Sequence, residues 1–177
     1  MKWHVLRAMA VLGVSGAVLT GCTGAPKESA SRPSALSTAP SRGSAPAESA
    51  KARAAEKVKE DLERSISADE ARFGSGVHSP CSTSSPRMFT VACGAAAEAT
   101  AETAGLALRD IDGRSGFATL DTTARKVRAA AGEYDRLGCA TGPAATDVRQ
   151  ACLAPAAVVA QGLEDLRDGA NLALAGR

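Results

Sequence analysis

The sequence predicts an all-α fold: a small antiparallel bundle of four or five helices stapled by two disulfides. Three observations carry that prediction. From about residue 51 onward, apolar residues recur at three- and four-residue spacing, the period of a helix face. No stretch shows the alternating β-branched residues of a half-buried strand. Four cysteines fall in the same region, where aromatics are scarce and alanine abundant. An alanine-rich core buries little area, at about 25 cal/mol per Å², so such a domain needs the covalent staples that an even cysteine count supplies.

In chain order, a short basic segment with Lys2 and Arg7 comes first, followed by a charge-free apolar run from Ala8 to Leu19. That run is about a dozen residues, the length of a secretory h-region and too short to span a bilayer core of roughly 30 Å. It ends in Leu19-Thr20-Gly21-Cys22. These four residues resemble the lipobox of bacterial lipoproteins. The resemblance covers residues 1–22 only. It implies that residues 1–21 are a signal peptide, cut before Cys22, and that Cys22 carries a diacylglyceryl anchor with palmitate-type chains. At about 0.8 kcal/mol per buried CH₂, two acyl chains hold a protein stably where one is marginal. The implied address is the extracytoplasmic face of the cell membrane, reached by general secretion because no twin arginine precedes the apolar run. Loss of Lys2 and Arg7 with the leader leaves basic and acidic side chains equal in number. Near neutrality, the mature chain offers no electrostatic footprint for nucleic acid.

Residues 22–50 read as the lipidated cysteine and a disordered linker. Ser, Ala and Pro dominate it, Pro26, Pro33, Pro40 and Pro46 recur through it, and Leu36 is its only large apolar residue. Such a segment cannot offset the entropy of its own ordering. As a flexible chain it reaches roughly 25–30 Å.

Residues 51–177 form the helical domain. The first helix is predicted over 51–73, with Ala54, Val58, Leu62, Ile66 and Phe73 as a narrow apolar stripe and Gly74-Ser75-Gly76 as its stop. A polar loop follows. The second helix runs to Ile111, starting at Ser85-Pro86 or nearer Ala95 because Gly94 weakens the earlier start. Its stripe is Phe89, Cys93, Ala96, Thr100, Ala104, Leu108 and Ile111. The third has the clearest pattern: Phe117, Leu120, Ala124, Val127, Ala131, Tyr134 and Leu137, with Gly138 as C-cap. A last helical region opens after Gly142-Pro143, with Val148, Cys152, Val159, Leu163, Leu166 and Ala170 on one face. Pro155 should kink or divide it. Of three possible disulfide connectivities, Cys81–Cys93 and Cys139–Cys152 are favoured, since each closes a short loop worth on the order of 3 kcal/mol in the chain-entropy account.

Candidate sites are few. His78-Ser79-Pro80-Cys81 has ligand-like spacing, but no Cys-x-x-Cys accompanies it, so no metal and no cofactor is assigned. His78 stands among Ser75, Ser79, Ser82 and Ser84, yet no nucleophile elbow, phosphate loop or dinucleotide fingerprint exists. Asp110, Asp112 and Asp121 occupy positions 1, 3 and 12 of a calcium loop, but Gly113 comes two residues early, Arg114 replaces an oxygen ligand and Asp121 replaces the bidentate Glu. An inter-helix turn is the better reading. Arg125, Lys126, Arg128 and Arg136 form a basic cluster, read as a solvated face, with anionic lipid or wall polymer as the functional alternative; no aromatics are interleaved for nucleic acid. Glu60, Asp61 and Glu63 are a polar helix face.

The expectation is therefore no catalysis. The domain is read as a binding or interaction module for another envelope protein or a wall component, tethered through Cys22. The alternative is a carrier of a small lipid or metabolite with a cavity between the helices. Richness in Ala, Gly and Arg with little Lys points to a high-GC organism such as an actinobacterium.

Overall fold

The computed structural model describes residues 45–174; the leader, Cys22 and most of the linker lie outside the described residues. Four α-helices follow one another: α1 (Ala45–Phe73), α2 (Val91–Ile111), α3 (Ala118–Arg136) and α4 (Thr146–Leu174). Two short 3₁₀ turns, Gly76–His78 and Cys139–Thr141, stand in the α1–α2 and α3–α4 connections. Among the described residues there is no strand, and no described helix is long and apolar enough to cross a membrane.

Most residues of each predicted stripe are buried, while Phe73, Leu108, Leu137 and Val148 are only half-buried and Phe89 lies before α2. In α1, Val58, Leu62 and Ile66 are buried, joined by Ala55 rather than Ala54. In α3, every stripe residue from Phe117 to Tyr134 is buried. α3 packs on α2 and α4, α1 packs on the same two helices, and α2 also meets α4 across the bundle. Among the described residues there are four helices, the smaller of the two counts the sequence allows.

Three boundaries differ from the sequence reading. α1 begins at Ala45, inside the segment read as linker. Ala-rich sequence propagates a helix without an apolar stripe, and Pro46 sits in the first turn, where a missing N–H costs nothing. α2 begins at Val91, between the two expected starts. Ser82 to Thr90 form successive turns, and the Thr90 hydroxyl caps the helix by accepting from the Ala92 N–H at 3.3 Å. α4 is one helix, not two, with Pro155 buried inside it. The ring removes one N–H that Ala151 would otherwise accept, while its burial on the core side repays part of that loss.

Two glycines end helices by geometry. Gly74 has φ 75° and a Cβ there would lie 2.9 Å from the His78 carbonyl oxygen, while Gly138 has φ 66° after α3. Both are left-handed conformations that favour glycine.

The core has two parts. One is aliphatic and four helices deep: Val58, Leu62 and Ile66 of α1 meet Leu120, Val127, Leu163 and Leu166. The other lies beyond the end of α1. There Cys81, Met88, Cys93, Tyr134, Cys139, Cys152 and Val159 pack among alanines, with the α1–α2 connection standing where a fourth helix would be. Bridges Cys81–Cys93 and Cys139–Cys152 both fall in this second part, and all four cysteines are fully buried.

Candidate functional site

His78 is exposed in its 3₁₀ turn. The neighbouring serines are engaged locally: Ser75 donates to Glu164 Oε1 at 2.9 Å, Ser79 Oγ accepts from the Cys81 N–H at 3.2 Å, and the Ser82 and Ser84 hydroxyls share a bond of 3.0 Å. Nearby, the buried Tyr134 hydroxyl donates to the Met88 carbonyl, which ties α3 to this loop. Burial pushes the Tyr134 phenol up to about 12.

Asp110, Asp112 and Asp121 do not converge. Asp121 takes two bonds from Arg125, at 2.9 and 3.0 Å, which hold its carboxyl below the usual range. Asp112 ends α2, and one buried carboxylate oxygen of Asp110 meets no partner among the described residues. No three His, Cys, Asp or Glu side chains are gathered as ligands among the described residues. The basic cluster is likewise split. Arg125 pairs with Asp121 and Arg136 with Glu133, while Arg128 turns toward α2.

Elsewhere on the surface some charges are paired. Lys57 and Arg64 both reach Asp61. Thr103 of α2 donates to Asp69 of α1 at 2.7 Å. Arg167 of α4 clamps two carboxylates of α1: it bonds Glu63 at 2.9–3.1 Å and Glu70 at 2.7 and 2.9 Å. Arg167 is thereby held protonated well above its ordinary range, chiefly by Glu70, and the Glu70 carboxyl is held low by Arg167. None of these long-range ties could be read from periodicity; each joins residues 34 to 104 positions apart.

One region combines charges of both signs with a groove. A groove of about 830 Å³ runs along the outer side of α2 and reaches Arg128 of α3. Its residues recur every three or four positions, at 98, 101, 102, 105, 108, 109 and 112, so they form one continuous helix face. Ala101, Gly105 and Leu108 make its floor; Glu98, Glu102, Arg109, Asp112 and Arg128 line it. These five charged side chains make no ion pair among the described residues. A Cβ at Gly105 would have Arg109 Nη1 as its nearest neighbour, at 3.4 Å, so the guanidinium lies over the gap that glycine leaves. The sequence shows these charges as an ordinary polar face. Only packing shows that their neighbours leave them unneutralised.

Compared with known proteins, the chain matches no family model, no curated protein and no solved structure.

Proposed function

We propose that this chain is a lipid-anchored envelope protein, acylated on Cys22 at the extracytoplasmic face of the cell membrane, whose helical domain binds another envelope component rather than performing chemistry. The observation that carries the binding role is the groove over α2, where both signs of charge stand unpaired on one helix face. Charges left without internal partners keep their full capacity for intermolecular pairing, and such complementarity sets specificity and register. The anchor rests on Leu19-Thr20-Gly21-Cys22 behind the apolar run, and two buried disulfides suit an oxidising compartment.

The carrier reading has less support. α4 comes so close to α2 and α3 that a Cβ at Gly162 would lie 2.8 Å from Thr100 and 3.2 Å from Val127. The small residues here draw helices together instead of leaving room between them.

Two measurements test the proposal. Intact mass of the protein recovered from cells is expected to show a chain beginning at Cys22 with added diacylglyceryl mass; a retained leader or a free Cys22 thiol overturns the anchor. Cross-linking of the full-length chain in its membranes is expected to give discrete protein adducts that Arg109→Glu abolishes and His78→Ala leaves intact. Adducts indifferent to Arg109→Glu would remove the α2 face from the account.

A further inference from the structure

We infer that the occupant of the α2 groove is a second copy of this chain, docked α2 against α2 in antiparallel orientation about a two-fold axis. The inference rests on the reading of that face as a binding surface and names its partner. It follows from the order of the unpaired charges. Along α2 the acids Glu98 and Glu102 come first and Arg109 follows. A two-fold axis crossing α2 between Gly105 and Leu106 exchanges positions 102 and 109. Glu102 of each copy then faces Arg109 of the other.

The same axis accounts for the charge that α3 contributes. The Cβ position of Gly162 touches both Thr100 and Val127, so those two residues stand level on antiparallel α2 and α3. Arg128, one residue further along α3, is therefore level with the α2 turn just before Thr100. The axis brings Asp112 of the second copy to that level, on the side of the groove that Arg128 lines. Two kinds of ion pair thus form, each twice, from side chains that have no ion pair within one copy. A parallel arrangement would set Glu102 against Glu102 and Arg109 against Arg109, and like charges facing across an interface oppose association.

The floor fits a helix. Ala101 and Gly105 are small and one turn apart, which lets two backbones approach closely, and Leu108 flanks the crossing. An interface in which residue i meets j and j meets i is isologous and closes as a dimer. The charge pairs fix orientation and register, and the buried floor supplies attraction.

The test uses the full-length chain in membranes with Gly105→Cys, which places a thiol beside the axis. A disulfide needs Cα atoms within about 7 Å, and the new Cβ meets only the flexible end of Arg109. Mild oxidation is expected to give a species of twice the chain mass on a non-reducing gel. Adding Glu102→Arg should lower its yield at least tenfold, and Glu102→Arg with Arg109→Glu should restore it. The pair Asp112→Arg and Arg128→Asp should show the same loss singly and recovery together, and serves if either member of the first pair disturbs folding. No dimer, or a dimer whose yield ignores these exchanges, overturns the proposal. A charge-sensitive adduct to a different protein also overturns it while leaving the α2 face as a binding surface; absence of any charge-sensitive adduct removes both.

Discussion

Gly162 and Gly132 are the same residue in the same kind of element, yet alanine at the two positions should act in opposite directions. In α4, a Cβ at Gly162 would press within 2.8 Å of Thr100 and 3.2 Å of Val127. Neither is the free end of a long side chain, so the helices must separate. We expect Gly162→Ala to destabilise by about 1–3 kcal/mol, the usual cost of overpacking. In α3, nothing lies within 4 Å of a Cβ at Gly132, and an exposed helical glycine costs roughly 0.5–1 kcal/mol relative to alanine. Gly132→Ala should therefore stabilise by about that amount. Urea melts of the two variants decide it: equal shifts of either sign would mean that α4 does not sit as close to α2 and α3 as the packing shows. Tyr134 makes a related point about polar groups. Its hydroxyl is the partner of the Met88 carbonyl in the buried second core, so Tyr134→Phe should cost about 1–3 kcal/mol by leaving an acceptor unpaired. An unchanged midpoint would show that water takes the place of the phenol.

At the scale of elements, the join between α1 and α4 depends on Arg167. This side chain is only 28% exposed and bonds Glu63 and Glu70 together. Bidentate charge-assisted bonds are the strong kind, and partial exposure limits them; we expect Arg167→Met to cost about 1–2 kcal/mol at pH 7. The pH dependence follows from Glu70. Arg167 lowers its folded-state pKa below the ordinary 4.5. The stabilisation is thus complete above about pH 4.5 and is lost as pH falls through the lower folded value. Wild type and Arg167→Met should differ by a constant amount from about pH 7 to 5 and converge below about 4.5. A gap that persists to about pH 2 would show that Arg167 acts by packing its stem, not by charge. Periodicity alone foresees the helices that this clamp joins, because Val58, Leu62, Ile66 and the Leu120-to-Tyr134 series each bury one face. It misses the first turn and a half of α1, where alanine and proline give no stripe, and it leaves open a kink or a division at Pro155, where one helix runs on. The groove on α2 escapes it altogether. Glu98, Glu102 and Arg109 look like any solvated face until packing sets them along one groove.

For the whole molecule, the two-part core makes stability uneven along the bundle. α1 covers the aliphatic part with Val58, Leu62 and Ile66 and reaches the second part only with Phe73 at its end, where the core is Tyr134, Met88, Val159, alanines and the bridged cysteines. A core of alanine and sulfur buries little apolar area, and its fourth wall is a connection of turns rather than a helix. The two bridges span 12 and 13 residues and constrain that part alone, each contributing on the order of 3 kcal/mol in the chain-entropy account. Cys81→Ser with Cys93→Ser should therefore loosen the second part before the first. In native-state hydrogen exchange, amides near Cys93, Tyr134 and Cys152 should lose protection first, while those around Leu62, Val127 and Leu166 hold theirs. The groove on α2 begins beside the stapled part and ends beside the aliphatic one, with Glu98 next to Ala97 of the stapled part and Arg109 near Ala107 of the aliphatic part. Loosening of one half would tilt one end of that face against the other and misalign its charges. The same double variant should then weaken α2-dependent cross-linking without touching any residue of the groove. Uniform loss of protection across both halves would mean that the bundle opens as one unit, and that the bridges stabilise it globally instead of holding one end of a binding face in place.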